Sequence, residues 1–375
     1  MKTVYVKPWD GCNLKCDMCY NAQMERPKKM DASMLDAVFE HILELLDYHR
    51  KDGILVHLHG GEPLLVNNDA VRDFCYKIQN LCRTTNVKLT VTTNLTYKLD
   101  ETKLDILNTM SPYRGFKHFI QTSWDYGTIR WKTPEERRLF EDNVTYLKSR
   151  GFGIQGTVCL TKPLIDAYIG REGELLDTLS ELFHVINFER LTQNGNLLQH
   201  PDLTPNWRKV DKFMLGIWKA YSAPERFIRP WNPPIPILDD IVYSCLNLNK
   251  WLGCRARKCS KNVETINPDG STASCPNVAH QPTGHLTEKA VGDKYINITI
   301  PITEELVQKP ICLACDVFHI CHGDCYQLVK SSSFMECHGL RETIRAIRED
   351  LKERGYLRLK YAELKEDKYD RFTVY

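Results

Sequence analysis

The chain carries almost no net charge: 50 lysines and arginines stand against 48 aspartates and glutamates, a formal +2 over 375 residues. That balance gives no electrostatic case for nucleic acid or an anionic membrane as a partner. There is no long apolar run of the kind that spans a bilayer, so no membrane association is expected. The opening MKTVYVKPWDG lacks an apolar core ahead of a cleavage site. No secretory signal is therefore read, and the expected location is cytoplasmic. Internal repeats are lacking, as is a glycine-rich phosphate loop for a nucleotide substrate. The remaining composition is ordinary. With 42% hydrophobic and 26% charged residues the chain suits a globular protein with a core, and its length suits roughly two domains.

What is abundant is cysteine, with 15 in the chain and eight of them between Cys254 and Cys337. In a reducing compartment, cysteines clustered at short spacings bind metal more often than they form disulfides. The odd count and the missing signal also weigh against a secreted disulfide framework.

The first half alternates short β-rich runs with longer amphipathic stretches. Strands are read at Thr3–Val6, Ile54–His59, Val87–Thr93, His118–Ser123, Ile154–Leu160 and Val185–Arg190. Each is followed by a helix. The first opens on Asp31 as N-cap and runs to about Arg50. The fourth opens on TPEE, with Thr133 as N-cap, Pro134 at the first position and Glu136 closing a capping box. Strand–helix units in series imply a parallel sheet with right-handed crossovers. Six such units are fewer than the eight of a closed barrel. The fold class read is therefore α/β, a partly open barrel with its site at the C-terminal ends of the strands.

The proline-rich RPWNPPIPILDD (Arg229–Asp240) reads as an irregular linker, because proline disfavours helix interiors and central strands. The expected division is a core of 1–228, a linker of 229–240, a cysteine-rich domain of 241–340 and a charged helical tail of 341–375.

Three stretches carry chemistry. CNLKCDMCY spaces Cys12, Cys16 and Cys19 just after the first strand. Three thiolates hold an iron–sulfur cluster with one iron open to an exogenous ligand. Half of a zinc site is the alternative. HGGEPLL (His59–Leu65) follows the second strand. Its glycines allow close approach to the backbone, and Glu62 suits a ligand ammonium; a plain strand-to-helix turn is the alternative. CLACDVFHICHGDC places Cys312, Cys315, Cys321 and Cys325 in the second half, with Cys259, Gly270 and Cys275 upstream and Cys337 downstream. A structural zinc fold is the rival reading.

The first two stretches together resemble the radical SAM superfamily over roughly the first 230 residues. Cys12, Cys16 and Cys19 match its CxxxCxxC motif, and Gly60, Gly61 and Glu62 match its GGE motif. The resemblance implies a partial (β/α)6 barrel. It also implies a [4Fe-4S] cluster whose open iron is chelated by S-adenosyl-L-methionine, with Glu62 near the methionine amine. An electron from that cluster cleaves the sulfonium to a 5′-deoxyadenosyl radical, which takes hydrogen from the substrate. Met18, Tyr20, Asn94, Ser123, Arg130 and Leu191 are further cofactor-contact candidates by the same resemblance. The family's Ser-x-Asp-Gly departs here to SWDYG, which bears on Asp125 and Arg130.

The later cysteines resemble the SPASM extension of that superfamily, whose spacings are all met. The resemblance implies two auxiliary [4Fe-4S] clusters, for three in all. Cys254, Cys259, Cys275 and Cys325 would hold the first, with Cys245 an alternative to Cys254. Cys312, Cys315, Cys321 and Cys337 would hold the second. Auxiliary clusters suit a two-electron oxidation, in which a substrate radical loses a second electron.

The expected function is oxidative modification of a side chain in a peptide or protein, such as a crosslink or an oxidation. Alternatives are an anaerobic sulfatase maturase forming formylglycine, a small-molecule dehydrogenase, and a zinc-stabilised binding or electron-transfer protein. In the sulfatase-maturing family an Asp directly follows the cysteine matched by Cys275 and acts as base, whereas Pro276 stands here. Asp324 is a substitute candidate for that base; otherwise no catalytic residue is assigned. A flavodoxin- or ferredoxin-type protein is the expected electron donor. The first strand begins at Thr3 with no fused leader-peptide reader ahead of it, so either a separate leader-peptide-binding protein supplies that task or the barrel binds the peptide directly. Cys75 and Cys82, seven apart, read as core. Cys159 reads as packed in a strand, with a thiyl hydrogen donor as the alternative. His57 and His59 read as barrel lining, and Arg255–Lys258 as a solvated face or a contact for an acidic peptide.

Overall fold

The computed structural model describes residues 1–21, 26–49, 52–66, 68–224, 232–247, 259–286, 309–325, 327–328 and 336–356. The strand–helix alternation is present in full. Strand β1 (Lys2–Trp9) leads to helix α1 (Ala32–Tyr48), β2 (Ile54–Gly60) to α2 (Asn68–Thr84) and β3 (Val87–Val91) to α3 (Glu101–Leu107). Strand β4 (His118–Trp124) leads to α4 (Pro134–Ser149), β5 (Phe152–Cys159) to α5 (Lys162–Tyr168) and α6 (Glu172–Leu182), and β6 (Val185–Glu189) to α7 (Trp207–Tyr221). This is the α/β partial barrel that the six repeated units imply. Helix α5 goes beyond the sequence reading: it is two turns long, too short for a hydrophobic period to register, although Thr161 caps it by accepting from Leu164 N–H.

Local chemistry explains the boundaries. Asp31 caps α1, its carboxylate accepting from Met34 N–H at 2.8 Å. Thr133 and Glu136 form the reciprocal capping box at the start of α4. Helices α1 and α2 each bury one stripe, Leu35, Val38, Ile42 and Leu45 on α1 and Val71, Phe74, Cys75 and Ile78 on α2, at the spacing that puts residues on one helix face.

The chain divides into two compact units, residues 1–155, 193–200 and 258–301 in the first and 156–192, 201–257 and 302–375 in the second. In the first, β1 is a central strand. It runs parallel to β2, with Tyr5 opposite His57, and parallel on its other side to β7 (Val263–Ile266), with Tyr5 opposite Thr265. Strands β8 (Ser271–Ala273) and β9 (Gly284–His285) extend the sheet antiparallel, giving the order β3-β2-β1-β7-β8-β9. A parallel bridge between Thr92 and Gln121 continues pairing from the end of β3 toward β4. A further sheet has the order β4-β5-β6, and the boundary between units falls within β5.

Strand β7 comes from the cysteine-rich half of the sequence, and no periodicity announces it. It is tied down by a buried charge cluster. Glu264 accepts from His41 Nε2 at 3.0 Å and pairs with Lys2 Nζ at 3.3 Å.

In the second unit the proline-rich stretch is helical from Pro236, against the irregular chain read from its composition. Helix α8 (Pro236–Leu246) opens on that proline. The first helical turn leaves its N–H groups unpaired anyway, so proline costs nothing there. Ahead of it, Pro234 accepts from Ile186 N–H at 3.0 Å. The charged segment after Leu340 is helical as read, over α9 (Arg341–Glu353). Among the described residues no helix is long and apolar enough to cross a membrane.

Candidate active site

The first unit gathers the cysteine triplet and the GGE stretch at the C-terminal ends of β1 and β2. The triplet loop leaves β1 after Trp9 and is pinned from several sides. Cys19 N–H donates to Cys16 O at 3.2 Å, and Asn196 donates through its backbone to Cys19 O at 2.8 Å and through Nδ2 to Cys16 O at 3.0 Å. Gly195, at φ 56°, packs so closely that a Cβ there would lie 2.4 Å from Cys19 O. Neither Gly195 nor Asn196 was singled out from the sequence. A lone Gly-Asn pair is a common turn signal, and nothing local ties it to a loop nearly two hundred residues earlier.

The glycines of GGE serve the chain's own backbone, whereas the sequence reading reserved their freedom for a ligand. A Cβ on Gly61 would sit 1.8 Å from Gly11 O, and one on Gly60, at φ 127°, 2.6 Å from Trp9 O. Gly61 N–H donates to Trp9 O at 2.9 Å and Glu62 N–H to Gly11 O at 2.8 Å. These contacts lock the end of β2 against the start of the triplet loop.

Glu62 is fully buried. It accepts from Thr93 Oγ1 at 2.7 Å, Asn94 N–H at 2.7 Å and Leu64 N–H at 3.2 Å. A carboxylate has about four acceptor positions, so three such bonds leave room for one more donor. Burial pushes its pKa up to about 7 despite those bonds, which marks a site short of positive charge. A ligand ammonium would supply it.

Asn94 joins the two motifs. Its Nδ2 donates to Asn13 Oδ1 at 2.8 Å and approaches Cys12 Sγ at 3.5 Å, and its Oδ1 accepts from Thr96 N–H at 2.7 Å. Arg130 pairs with the buried Asp125 at 2.6 Å, and its charge acts on the Cys16 thiol. Tyr20 Oη meets His59 Nδ1 at 2.8 Å. Met18 is buried, and Ser123 is half-buried on β4. Leu191 belongs to the second unit, where it is buried just beyond β6.

The donor chemistry of the triplet fits a metal cluster. Burial pushes the Cys12 thiol up to about 11 and the Cys19 thiol up to about 12, and raises Cys16 as well. Such thiols stay protonated near neutral pH and give up their protons to a bound metal. No three His, Cys, Asp or Glu side chains among the described residues converge as on a single metal ion. A four-iron cluster sets each thiolate on a different iron, which spaces its ligands more widely.

Of the later cysteines, the structure brings four together in the second unit. Cys312, Cys315, Cys321 and Cys337 line one cavity with His338 and Arg341. Lys309, almost fully buried, donates to Glu336 O at 3.1 Å and lies near enough to Cys312 and Cys337 to feel their charge. The other set is divided between the two units. Cys259 starts a one-turn helix and Cys275 precedes a short 3-10 turn, both in the first unit, while Cys325 is in the second. Cys254 and the Arg255–Lys258 run lie outside the described residues. Cys245 is buried on α8.

Asp324, the substitute candidate for a base, sits in an ion pair. Its two oxygens accept from the Arg190 guanidinium at 2.8 and 2.9 Å, and Oδ1 also accepts from Cys325 N–H at 2.7 Å. Cys75 is fully buried and Cys82 partly so, while Cys159 is half-buried at the end of β5. His57 is buried inside the sheet, bonded through Nε2 to Thr92 Oγ1 at 2.8 Å.

With that geometry in place, comparison with known proteins adds three findings. Residues 2–111, which contain the first triplet, match the family described as a 4Fe-4S single cluster domain. No curated protein matches the chain in sequence. Among solved structures, native anSMEcpe with bound AdoMet and Cp18Cys peptide is similar at 17% identity, with 94% of this chain and 97% of that chain covered and a TM-score of 0.70. A histidine-tagged anSMEcpe with bound AdoMet gives 17%, 94%, 93% and 0.73. SuiB of Streptococcus suis bound to its precursor peptide SuiA gives 16%, 91%, 75% and 0.59. The α/β fold of these solved structures is therefore shared over nearly the whole chain.

Proposed function

We propose that the chain is a radical SAM enzyme with a SPASM-type extension that oxidatively modifies a side chain of a peptide or protein. The observation that carries this is the lock between the two motifs. Glu62 N–H to Gly11 O and Asn94 Nδ2 to Cys12 Sγ hold the GGE carboxylate near the Cys12 thiol, the first of the triplet. Cys12, Cys16 and Cys19 would hold a cluster with an open position. Gly60, Gly61, Glu62, Asn94, Ser123, Arg130, Met18, Tyr20 and Leu191 are the proposed contacts of S-adenosyl-L-methionine. The chemistry that such a pair supplies when bound is hydrogen abstraction from an unactivated C–H bond.

The chain's own residues exclude water around Glu62 and present one carboxylate acceptor to an ammonium. Cys312, Cys315, Cys321 and Cys337 line a cavity suited to a second cluster. Cys254, Cys259, Cys275 and Cys325 are proposed for a third. Residues 1–228 would form the core, 241–340 the auxiliary domain and 341–375 a helical tail, joined by 229–240. The electron donor would be of flavodoxin or ferredoxin type.

The peptide substrate class is supported by two similar structures, anSMEcpe with bound Cp18Cys peptide and SuiB bound to the precursor peptide SuiA. Formylglycine formation is disfavoured. Pro276 stands where that chemistry would need an acid, and Asp324 is held by Arg190. Mass spectrometry after co-expression with short peptides from the same gene neighbourhood tests the reading. The expected result is a loss of two hydrogens that depends on Cys19. Turnover of a free metabolite with every peptide inert would contradict it.

A further inference from the structure

Arg190 follows β6 and is buried, with a side chain 8% exposed. Its guanidinium makes a fork-to-fork pair with Asp324, NH1 to Oδ2 at 2.8 Å and NH2 to Oδ1 at 2.9 Å. The NH1 group also donates to His338 O at 3.0 Å. His338 in turn bonds through Nε2 to Gly323 O at 3.1 Å. Gly323 and His338 both line the four-cysteine cavity. One guanidinium therefore ties three segments together: the end of β6, the turn between Cys321 and Cys325, and the segment carrying Cys337.

The turn is unusual in its backbone. His322 and Asp324 both have positive φ, at 53° and 55°, with Gly323 at 76° between them. Three consecutive left-handed residues are costly unless surrounding contacts hold them. The Arg190–Asp324 pair and the Asp324 bond to Cys325 N–H are such contacts. A buried ion pair is also an expensive way to pack a turn, because an apolar pair of similar size is often as stable. Its position beside the four-cysteine cavity gives its charge a part to play there.

We propose that the Arg190–Asp324 pair positions the ligands of the cluster held by Cys312, Cys315, Cys321 and Cys337 and sets its reduction potential. This rests on the reading of that cavity as a cluster site. The pair is neutral as a whole, so breaking it from either side leaves a net charge close to the ligands. Cluster potentials respond to nearby net charge and hydrogen bonding. Removing the carboxylate leaves a guanidinium that cannot lose its proton, which favours the reduced, more negative cluster. Removing the guanidinium leaves a carboxylate that disfavours it. Neither residue is a thiolate ligand, and both act through the segments they hold.

The test is a redox titration followed by electron paramagnetic resonance on the full chain. The Cys12, Cys16 and Cys19→Ala background leaves the auxiliary signals alone, and the signal lost on Cys315→Ala identifies the cluster in question. Asp324→Asn is expected to raise its midpoint potential and Arg190→Gln to lower it. Arg190→Lys should stay near the starting value, and the neutral pair Arg190→Gln with Asp324→Asn should return toward it. Iron is counted in every variant. Shifts of the same sign from both single substitutions, or no shift with iron retained, would overturn the proposal. If the single variants lose iron, the neutral pair decides. Iron and potential both kept there would support the proposal, and iron lost there too would reduce the pair to packing. Absence of any auxiliary signal in the unsubstituted protein would overturn the cluster reading first, and this proposal with it.

Discussion

Glu62 concentrates the account at the scale of one residue. Its carboxyl is pushed up to about 7 by burial, so between the ordinary carboxylate range and pH 7 the folded chain holds more protons there than the unfolded chain. Stability contributed by this site therefore falls as pH rises across that window. A ligand ammonium favours the ionised form, so binding releases a proton, and affinity for S-adenosylmethionine should rise as pH climbs toward 7. Equilibrium binding at several pH values checks this, and a flat profile would contradict it. Glu62→Gln keeps the shape and removes the charge. A charge-assisted bond is worth about 1.5–3 kcal/mol, so the variant should bind about ten- to a hundredfold more weakly with iron content unchanged. Unaltered binding would make the stretch a structural turn.

At the scale of elements, the caps were legible and the long-range partners were not. Asp31 and the Thr133–Glu136 box announce their helices because the cap and the residues it satisfies lie within four positions. Helix α9 has no such signal. Leu340 precedes it in the left-handed region without a side-chain cap, and the cap comes from α7 instead. Asp211 accepts from Glu342 N–H at 2.8 Å, from Thr343 N–H at 3.0 Å and from Thr343 Oγ1 at 2.7 Å. Asp211→Ala should cost about 1.5–3 kcal/mol of unfolding free energy and speed amide exchange in the first turn of α9. Unchanged exchange there would show that the helix start needs no help from α7. Pro236 misled in the opposite direction. Composition marks a proline-rich stretch as irregular, yet a proline in the first turn is compatible with the helix that follows.

At the scale of the whole chain, the α/β class was readable because six units repeat one local pattern. The placement of β7 was not, because parallel pairing of Val263–Ile266 with Thr3–Val6 joins segments separated by most of the sequence. Likewise the cysteine spacings named candidate ligands, while Gly195, Asn196 and Arg190 surfaced only in three dimensions. Strand β7 covers one side of the central strand, and Glu264 holds Lys2 and His41. A chain ending at Arg257 would expose that edge and leave the buried Lys2 ammonium and the His41 imidazole without their carboxylate partner, which is strongly destabilising. Such a truncation should aggregate. A monomeric fragment of 1–257 with cooperative unfolding would contradict the view that the late segment completes the sheet.

The central claim is that eleven cysteines hold three clusters and that the first of them cleaves S-adenosylmethionine. Metal analysis of anaerobically prepared and reconstituted protein, paired with an assay for 5′-deoxyadenosine, tests it most directly. The account predicts about twelve irons per chain, falling to about eight with all cleavage lost when Cys12, Cys16 and Cys19 are replaced by Ala. Stoichiometric zinc with no bound iron, or cleavage that survives the triple replacement, would contradict it.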